Sequence, residues 1–371
     1  MAFSTRHDGL ARLRRCYAEY LRLCGRSGGR TNNFWLLLEQ FTSPLFGSDS
    51  LPTMGLNGAA AHLTRQDGSG TLTDPNIQES VMSQSIQSQH NGSKVWFVTG
   101  ASRGFGTLIV RAALQRGDRV IATARNPQQV IEAFGEQPNL LAVKVDVTRE
   151  EDAVEAVRQG VQRFGRIDVL VNNAGFGLLG AVEETAVTEA KANFDTNVFG
   201  LLAVSRAVLP QMRKQRSGHV INISSLGGYS AYYGWGVYGA SKFAVEGLTE
   251  AMSQELAPLG IHATVVEPGF FRTDFLNDNS LVSTKAVIDD YAETVGQMRV
   301  FAKGANHAQP GDPNKLTAAI LRLADSEQPP LRLPLGSDAV ARIEAKHQAV
   351  EAELAAWREL SVSTDHDDVV R

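Results

Sequence analysis

Val95-Trp-Phe-Val-Thr-Gly-Ala-Ser-Arg-Gly-Phe-Gly106 is the stretch that decides the fold. Residues 95–99 are an apolar run of strand length that meets a glycine at position 100. Gly104 and Gly106 follow, and an apolar-periodic run continues to Gln115. Strand, glycine-rich turn and helix, in that order, is the setting a dinucleotide site requires. Glycine lets the backbone turn sharply and approach a pyrophosphate. The first turn of the helix offers unpaired N–H groups and the positive end of its dipole to the same anion. The spacing is GxxxGxG, not GxGxxG, so the stretch alone also suits an ordinary strand-to-helix turn.

The chain downstream repeats the alternation. Strand-like runs occupy 119–123, 140–145, 167–171, 219–223, 261–266 and 331–335. Thr148 and Glu151 predict a capping box for a helix with the apolar stripe Val154, Val157, Val161 and Phe164. A long helical pattern over about 188–212 contains Asn197, and another spans 236–256. Such regular alternation predicts an α/β chain with a single doubly wound parallel sheet, a Rossmann domain over residues 94–335. Ligands of these sheets bind beyond the carboxyl ends of the strands. The glycine turn, Asp146, Asn173, Ser225 and Pro268 all fall at those ends.

Two further patterns bear on chemistry. Tyr238 and Lys242 stand four apart on a predicted helix, hence on one face. An ammonium beside a phenol favours phenolate and lowers its pKa. A tuned tyrosine can then move a proton at a carbonyl or alcohol oxygen. Arg125 lies 19 residues after Gly106, with no acid at 123–126. An acid near that position holds a ribose 2′-OH, whereas arginine accommodates a 2′-phosphate. With Arg103 in the turn, the reading is NADP(H) in preference to NAD(H). The plain alternative is two solvated surface arginines.

On these motifs residues 94–335 resemble the short-chain dehydrogenase/reductase family. They are the TGxxxGxG turn from Thr99 to Gly106, Asn172-Asn-Ala-Gly175, the set Asn197, Ser225, Tyr238 and Lys242, and the PGxxxT segment from Pro268 to Thr273. The resemblance implies that Gly100, Ser102, Arg103, Gly104, Phe105 and Gly106 cradle the cofactor. Asp146 and Val147 would contact the adenine, and Asn173, Ala174 and Gly175 the adenosine ribose. Pro268, Phe271 and Thr273 would hold the nicotinamide carboxamide. Tyr238 would be the acid/base, and Lys242 would also hold the nicotinamide ribose. Ser225 would donate to the substrate oxygen, and Asn197 would order a water in the proton path. The motifs look most like steroid- or retinol-type hydroxyl dehydrogenases and carbonyl reductases. The resemblance thus implies an NADP(H)-dependent oxidoreductase acting on CH–OH groups, assembled as a homodimer or homotetramer. The competing reading is a catalytically silent NAD(P)-sensing protein on the same fold.

Aromatic residues crowd the expected substrate side. Tyr229, Tyr232, Tyr233 and Trp235 precede Tyr238, while Phe270, Phe271, Phe275 and Leu276 follow Gly269. They predict a small hydrophobic carbonyl or alcohol substrate. The long connection 270–309 reads as a lid. Glu246 and Glu250 read as a solvated helix face. No metal-ligand spacing appears, so no metal is expected.

Composition sets the remaining bounds. The 371 residues are 43% hydrophobic, enough for a sizeable core. A formal net charge of −4 gives no basis for a nucleic-acid or membrane-surface partner. Both cysteines, Cys16 and Cys24, lie near the start, and no apolar run approaches the roughly 18 residues of a membrane span. These features suit a reducing, cytoplasmic setting. Residues 1–90 contain eight arginines and no lysine. They pair a basic amphipathic helix candidate over 10–24 with a Ser-, Gly-, Gln- and Asn-rich linker from 47 onward. Three readings compete: a transit peptide in the first 30 residues, which would make the protein mitochondrial, a docking arm, or sequence upstream of a true start at Met82 or Met54. The last is preferred. Residues 336–371 predict a C-terminal helix with apolar positions Val340, Ile343, Val350, Leu354 and Trp357, then an acidic tail.

Overall fold

The structure, a computed structural model, describes residues 92–277, 280–305, 308–366, 368 and 369. The expectations for residues 1–90 lie outside that range. Seven parallel strands form the main sheet, in the order β3-β2-β1-β4-β6-β7-β9. They are β1 (Val95–Thr99), β2 (Arg119–Ala124), β3 (Leu140–Lys144), β4 (Val169–Asn172), β6 (Gly218–Ile223), β7 (Ile261–Pro268) and β9 (Arg332–Leu335). The connecting helices are α1 (Gly104–Gln115), α2 (Gln128–Phe134), α3 (Glu150–Phe164), α4 (Val187–Phe194), α5 (Leu201–Gln215), α6 (Gly236–Leu256) and α8 (Pro313–Ala324).

Every residue of β1 is buried because both faces of the sheet are covered. Trp96 and Val98 pack with Ile109 of α1 and Leu316 and Ile320 of α8. Val95 and Phe97 pack on the opposite face with Val204, Val208 and Met212 of α5. The period of two within one strand therefore feeds two cores. The sheet starts at β1, runs outward to β3, then reverses to β4. The crevice between β1 and β4 is the topological switch point where ligands of such sheets bind.

Three local expectations are corrected. The capping box at Thr148 and Glu151 does not form. Asp146 Oδ1 takes the Thr148 hydroxyl at 2.7 Å, and Arg149 Nε donates to the Glu151 carboxylate at 3.0 Å. The helix containing Asn197 is not uniform, since a π-helical stretch, Asp195–Gly200, separates α4 from α5. The connection 270–309 is not a free lid. It contains β8 (Leu281–Ser283), which pairs in parallel with β5 (Gly177–Leu179), and α7 (Gln297–Gly304).

A buried ion pair ties that connection down. Arg299 Nη2 lies 2.6 Å from Glu184 Oε2, and the Glu184 carboxyl also accepts the N–H groups of Ala181 and Ile288 at 2.8 Å each. Burial pushes the Glu184 pKa up, but Arg299 and the two N–H donors outweigh it and hold it at about 2. The folded pKa is depressed, so this stabilisation is present above about pH 4.5 and is lost as pH falls toward 2. Arg299→Met leaves a buried carboxylate unpaired. It is expected to cost on the order of 3 kcal/mol at pH 7, with the deficit shrinking in acid. Chemical denaturation at pH 7 and pH 4 measures both.

The C-terminal helix, α9 (Ser337–Val362), docks by its first turns only. Ala339 and Ile343 are buried against Leu226, Tyr229 and Tyr232, whereas Val340, Val350, Leu354 and Trp357 are exposed. The apolar positions expected of this helix therefore split, with Ile343 covered by its own domain and the others exposed. Among the described residues no helix is long and apolar enough to cross a membrane.

Candidate active site

The carboxyl ends of β1, β2, β3, β4, β6 and β7 open into one cavity of about 660 Å³. Its floor is the glycine turn. Gly100 and Gly104 adopt φ of +65° and +55°, a region that L side chains rarely enter. At Gly106 a Cβ would sit 2.2 Å from the Gly100 carbonyl oxygen, so no larger residue fits without moving the turn. Asn173 Nδ2 donates to the carbonyls of Thr99 and Gly100 at 2.9 and 3.2 Å. Thr99 Oγ1 in return accepts the N–H groups of Asn173 and Ala174. The turn and the Asn172–Gly175 stretch are thus one hydrogen-bonded unit. No side chain caps the N-terminus of α1 and no acid stands in its first turn. That is the arrangement a pyrophosphate needs, and the residues fit a dinucleotide cofactor.

Gly100, Ser102, Arg103, Gly104, Phe105, Arg125, Asp146, Val147, Asn173, Ala174, Gly175, Pro268, Phe271 and Thr273 all line this cavity. Gly106 does not; it lies behind Gly100 and permits its position. The Asp146 carboxyl is held below the usual carboxylate range by the Thr148 hydroxyl, with Arg125 and Arg149 adding to the effect against a small burial cost.

The candidate catalytic residues Ser225, Tyr238 and Lys242 line the same cavity toward the other strand ends. The Tyr238 ring is buried between Trp235, with centroids 5.6 Å apart, and Phe275 at 5.8 Å. Lys242 Nζ stands 5.9 Å from the centre of the Tyr238 ring and donates to the Ile223 carbonyl at 2.9 Å. Burial pushes the Tyr238 phenol up to about 12, against the pull of its hydrogen bond with Ser225. The expected lowering by Lys242 does not appear in this structure, where desolvation outweighs the hydrogen bond from Ser225. The same burial pushes Lys242 down to about 8, opposed by the charge of Glu246. Ser225 also accepts the Gly227 N–H at 3.1 Å, which fixes its rotamer.

Asn197 is buried and does not reach the cavity wall. Its Oδ1 accepts the Phe176 N–H, and its Nδ2 donates to the Phe176 carbonyl at 3.1 Å and to Ser241 Oγ at 3.1 Å. It pins the chain beyond β4 to α6. A Cβ on Gly175 would touch Asn197 Oδ1 at 2.9 Å and Lys242 Nζ at 3.6 Å, so the three positions are packed together.

Of the four aromatic residues before Tyr238, only Tyr232 and Trp235 line the cavity. Tyr229 packs on α9, and Tyr233 is exposed. Phe270, Phe271, Phe275 and Leu276 all line it. Sequence reasoning missed Phe176, Leu226, Ser280, Val282 and Gln309, which join the wall from segments without motifs. It also misjudged Glu246, which is buried. Its place four residues after Lys242, on the same helix face, was the available signal. Among the described residues no cluster suited to a metal ion occurs.

The family model described as short chain dehydrogenase matches residues 94–282. Oxidoreductase BOA17 of Botryotinia fuckeliana is 40% identical over 275 residues, 73% of this chain and 99% of that protein. A 3-ketodihydrosphingosine reductase of Bacteroides thetaiotaomicron is 37% identical over 66% of this chain and 88% of its own length. The crystal structure of a short-chain dehydrogenase from Streptomyces avermitilis shares 42% identity with a TM-score of 0.69, covering 74% of this chain and 100% of that one. The structure of ElxO with NADP bound shares 27% identity with a TM-score of 0.56, covering 67% and 100%.

Proposed function

The chain belongs to the short-chain dehydrogenase/reductase family and is an oxidoreductase, and from that premise we propose that it interconverts a hydrophobic secondary alcohol and its ketone, or an aldehyde, with NADP(H). The observation that carries the proposal is a single cavity that holds both halves of the task. The glycine turn with Arg103 and Arg125 lines it together with Ser225, Tyr238 and Lys242. A relative named for a 3-keto substrate and a solved neighbour with NADP bound support the same reading.

When bound along the glycine turn, Arg103 and Arg125, NADPH would supply the hydride for reduction, and its oxidised form would accept one in the reverse direction. The chain's own residues do the rest. With a pKa of about 12 the Tyr238 phenol is protonated at neutral pH, ready to give its proton to a carbonyl oxygen. Ser225 hydrogen-bonds the same region and stabilises the oxygen as charge develops on it. Lys242, protonated below about pH 8, places a positive charge beside the phenol and favours the phenolate left after transfer. The rings of Tyr232, Trp235, Phe270 and Phe275 exclude water and select an apolar body around the carbonyl. Phe199, Leu202 and Phe243, apolar and exposed on α5, its π-helical start and α6, support a homodimer or homotetramer.

A panel of hydrophobic ketones and aldehydes, followed by loss of NADPH absorbance, tests the reading. Turnover is expected with apolar ketones and little with small hydrophilic ones. Tight NADPH binding with no turnover across the whole panel would instead favour the silent, cofactor-sensing alternative.

A further inference from the structure

Behind the reactive residues lies a charged cluster that the reaction as described does not use. Glu246 follows Lys242 by one turn of α6, and Glu267 stands near the end of β7 beside it; they are only 5% and 1% exposed. The charged and polar groups facing the pair are few. They are Lys242 and Glu250 from α6, Ser224 beyond β6 and Arg332 from β9, whose guanidinium lies over the Tyr229 ring. Arg332 Nε is 3.4 Å from Glu246 Oε2 and 3.8 Å from Glu267 Oε1, while Nη2 is 2.7 Å from the exposed Glu250. Ser224 and Glu267 both stand against the Glu246 carboxyl, yet by heavy-atom geometry both oxygens of Glu246, Oε1 of Glu267 and the Ser224 hydroxyl fall short of a well-formed hydrogen bond among the described residues. Neither glutamate lines the cavity.

Two adjoining buried carboxylates do not both ionise near neutral pH. One shared proton converts their repulsion into a hydrogen bond and leaves a single negative charge. Burial pushes both carboxyls up, and the charge of Glu246 adds to it at Glu267, which reaches about 8. The charges then balance. Lys242 and Arg332 are positive, while the pair and Glu250 each carry one negative charge.

We propose that Glu246 and Glu267 hold one proton between them, and that the single negative charge left on the pair keeps buried Lys242 protonated while Tyr238 works. This rests on the roles proposed above for Tyr238 and Lys242. The two glutamates are positioning residues that act through Lys242.

A shared proton has a distinctive mutational pattern. Removing either carboxyl lets the other ionise alone, so one negative charge survives. Removing both abolishes it. kcat/KM for alcohol oxidation is measured against pH in wild type, Glu246→Gln, Glu267→Gln, the double variant and Tyr238→Phe. Each single variant should stay within about threefold of wild type. The double variant should move the acidic limb up by about one pH unit, roughly a tenfold loss on that limb that alkaline pH restores. A double variant with an unmoved limb, or single variants that each shift it as far as the double, would overturn the proposal. A second readout does not depend on turnover. The folded pKa values are raised, so the pair favours folding below about pH 4.5 and that contribution fades as pH rises through about 8. The Tm of the double variant should therefore gain on wild type between pH 5 and pH 8. Should the double variant not fold, Glu267→Gln alone should show a shallower fall of Tm over that range, and a slope equal to wild type overturns the proposal. Full activity in Tyr238→Phe would reject the reading of the site itself. A dead Tyr238→Phe beside an unmoved double variant would reject only the role of the pair.

Discussion

Tyr238→Phe is expected to lower kcat by roughly 10²- to 10⁴-fold, the usual worth of a positioned proton donor. Affinity for NADP(H) should stay within a few-fold. The argument is local. The ring is held by Trp235 and Phe275, and both contacts survive loss of the hydroxyl. The hydroxyl's hydrogen bond is with Ser225, which keeps a second partner in the Gly227 N–H. The variant therefore removes the proton and little else. Because KM contains binding of an apolar body to an unchanged wall, the loss should appear in kcat more than in KM. Steady-state kinetics with a ketone from the panel, beside NADPH binding by fluorescence, separates the two. Activity near wild type would remove Tyr238 from the mechanism.

Arg125→Ala is expected to reduce the preference for NADP over NAD by roughly 10- to 100-fold, chiefly by weakening NADP. Arg125 is exposed at the end of β2 and lines the cavity with Arg103 and Asp146. A guanidinium takes a phosphate through charge-assisted, often bidentate hydrogen bonds. Hydrogen bonds to charged groups contribute about 1.5–3 kcal/mol, and about 1.4 kcal/mol is tenfold in affinity. Exposure brings screening, so the preference should shrink as salt rises. The measurement is kcat/KM for both cofactors at two ionic strengths. Unchanged selectivity in the variant would place recognition of the 2′-phosphate elsewhere, and the proton chemistry at Tyr238 would be untouched.

Much of this was legible before any coordinates, and the reason is locality. Most strands of the main sheet announce themselves as short apolar runs, since a strand covered on both faces, as β1 is, needs no partner sequence to be recognised. The site follows almost for free, because a parallel sheet gathers its strand ends, and the motifs sat at those ends. What escaped depended on distant partners. Glu246 looks like half of a solvated pair until β7 and β9 bring Glu267 and Arg332 against it. β5 and β8 have three residues each and meet across about 100 positions, too short a signal to see in one dimension. Thr148 has the right spacing for a cap, but an aspartate two residues earlier takes its hydroxyl. Asn197 keeps helical spacing through a π-helical stretch, which adds a residue to the turn without disturbing the apolar pattern.

The first turns of α9 reach back into the site. The Asp338 carboxylate accepts the Phe270 N–H at 2.7 Å, so it braces the segment after β7 that lines the cavity. Arg342 donates to Ser230 and to the Ala231 carbonyl, and its guanidinium lies over the Tyr232 ring at 4.7 Å. The cavity wall is therefore finished by residues of α9, far beyond Tyr238 in the chain. During synthesis the phosphate-binding turn and Tyr238 emerge from the ribosome well before the residues that brace the pocket. At about 5–20 residues per second the gap is several seconds. A nascent chain thus passes through an interval in which the glycine turn and Tyr238 are made but the residues that brace the cavity wall are not. The cavity reaches its described form only after translation has passed Arg342.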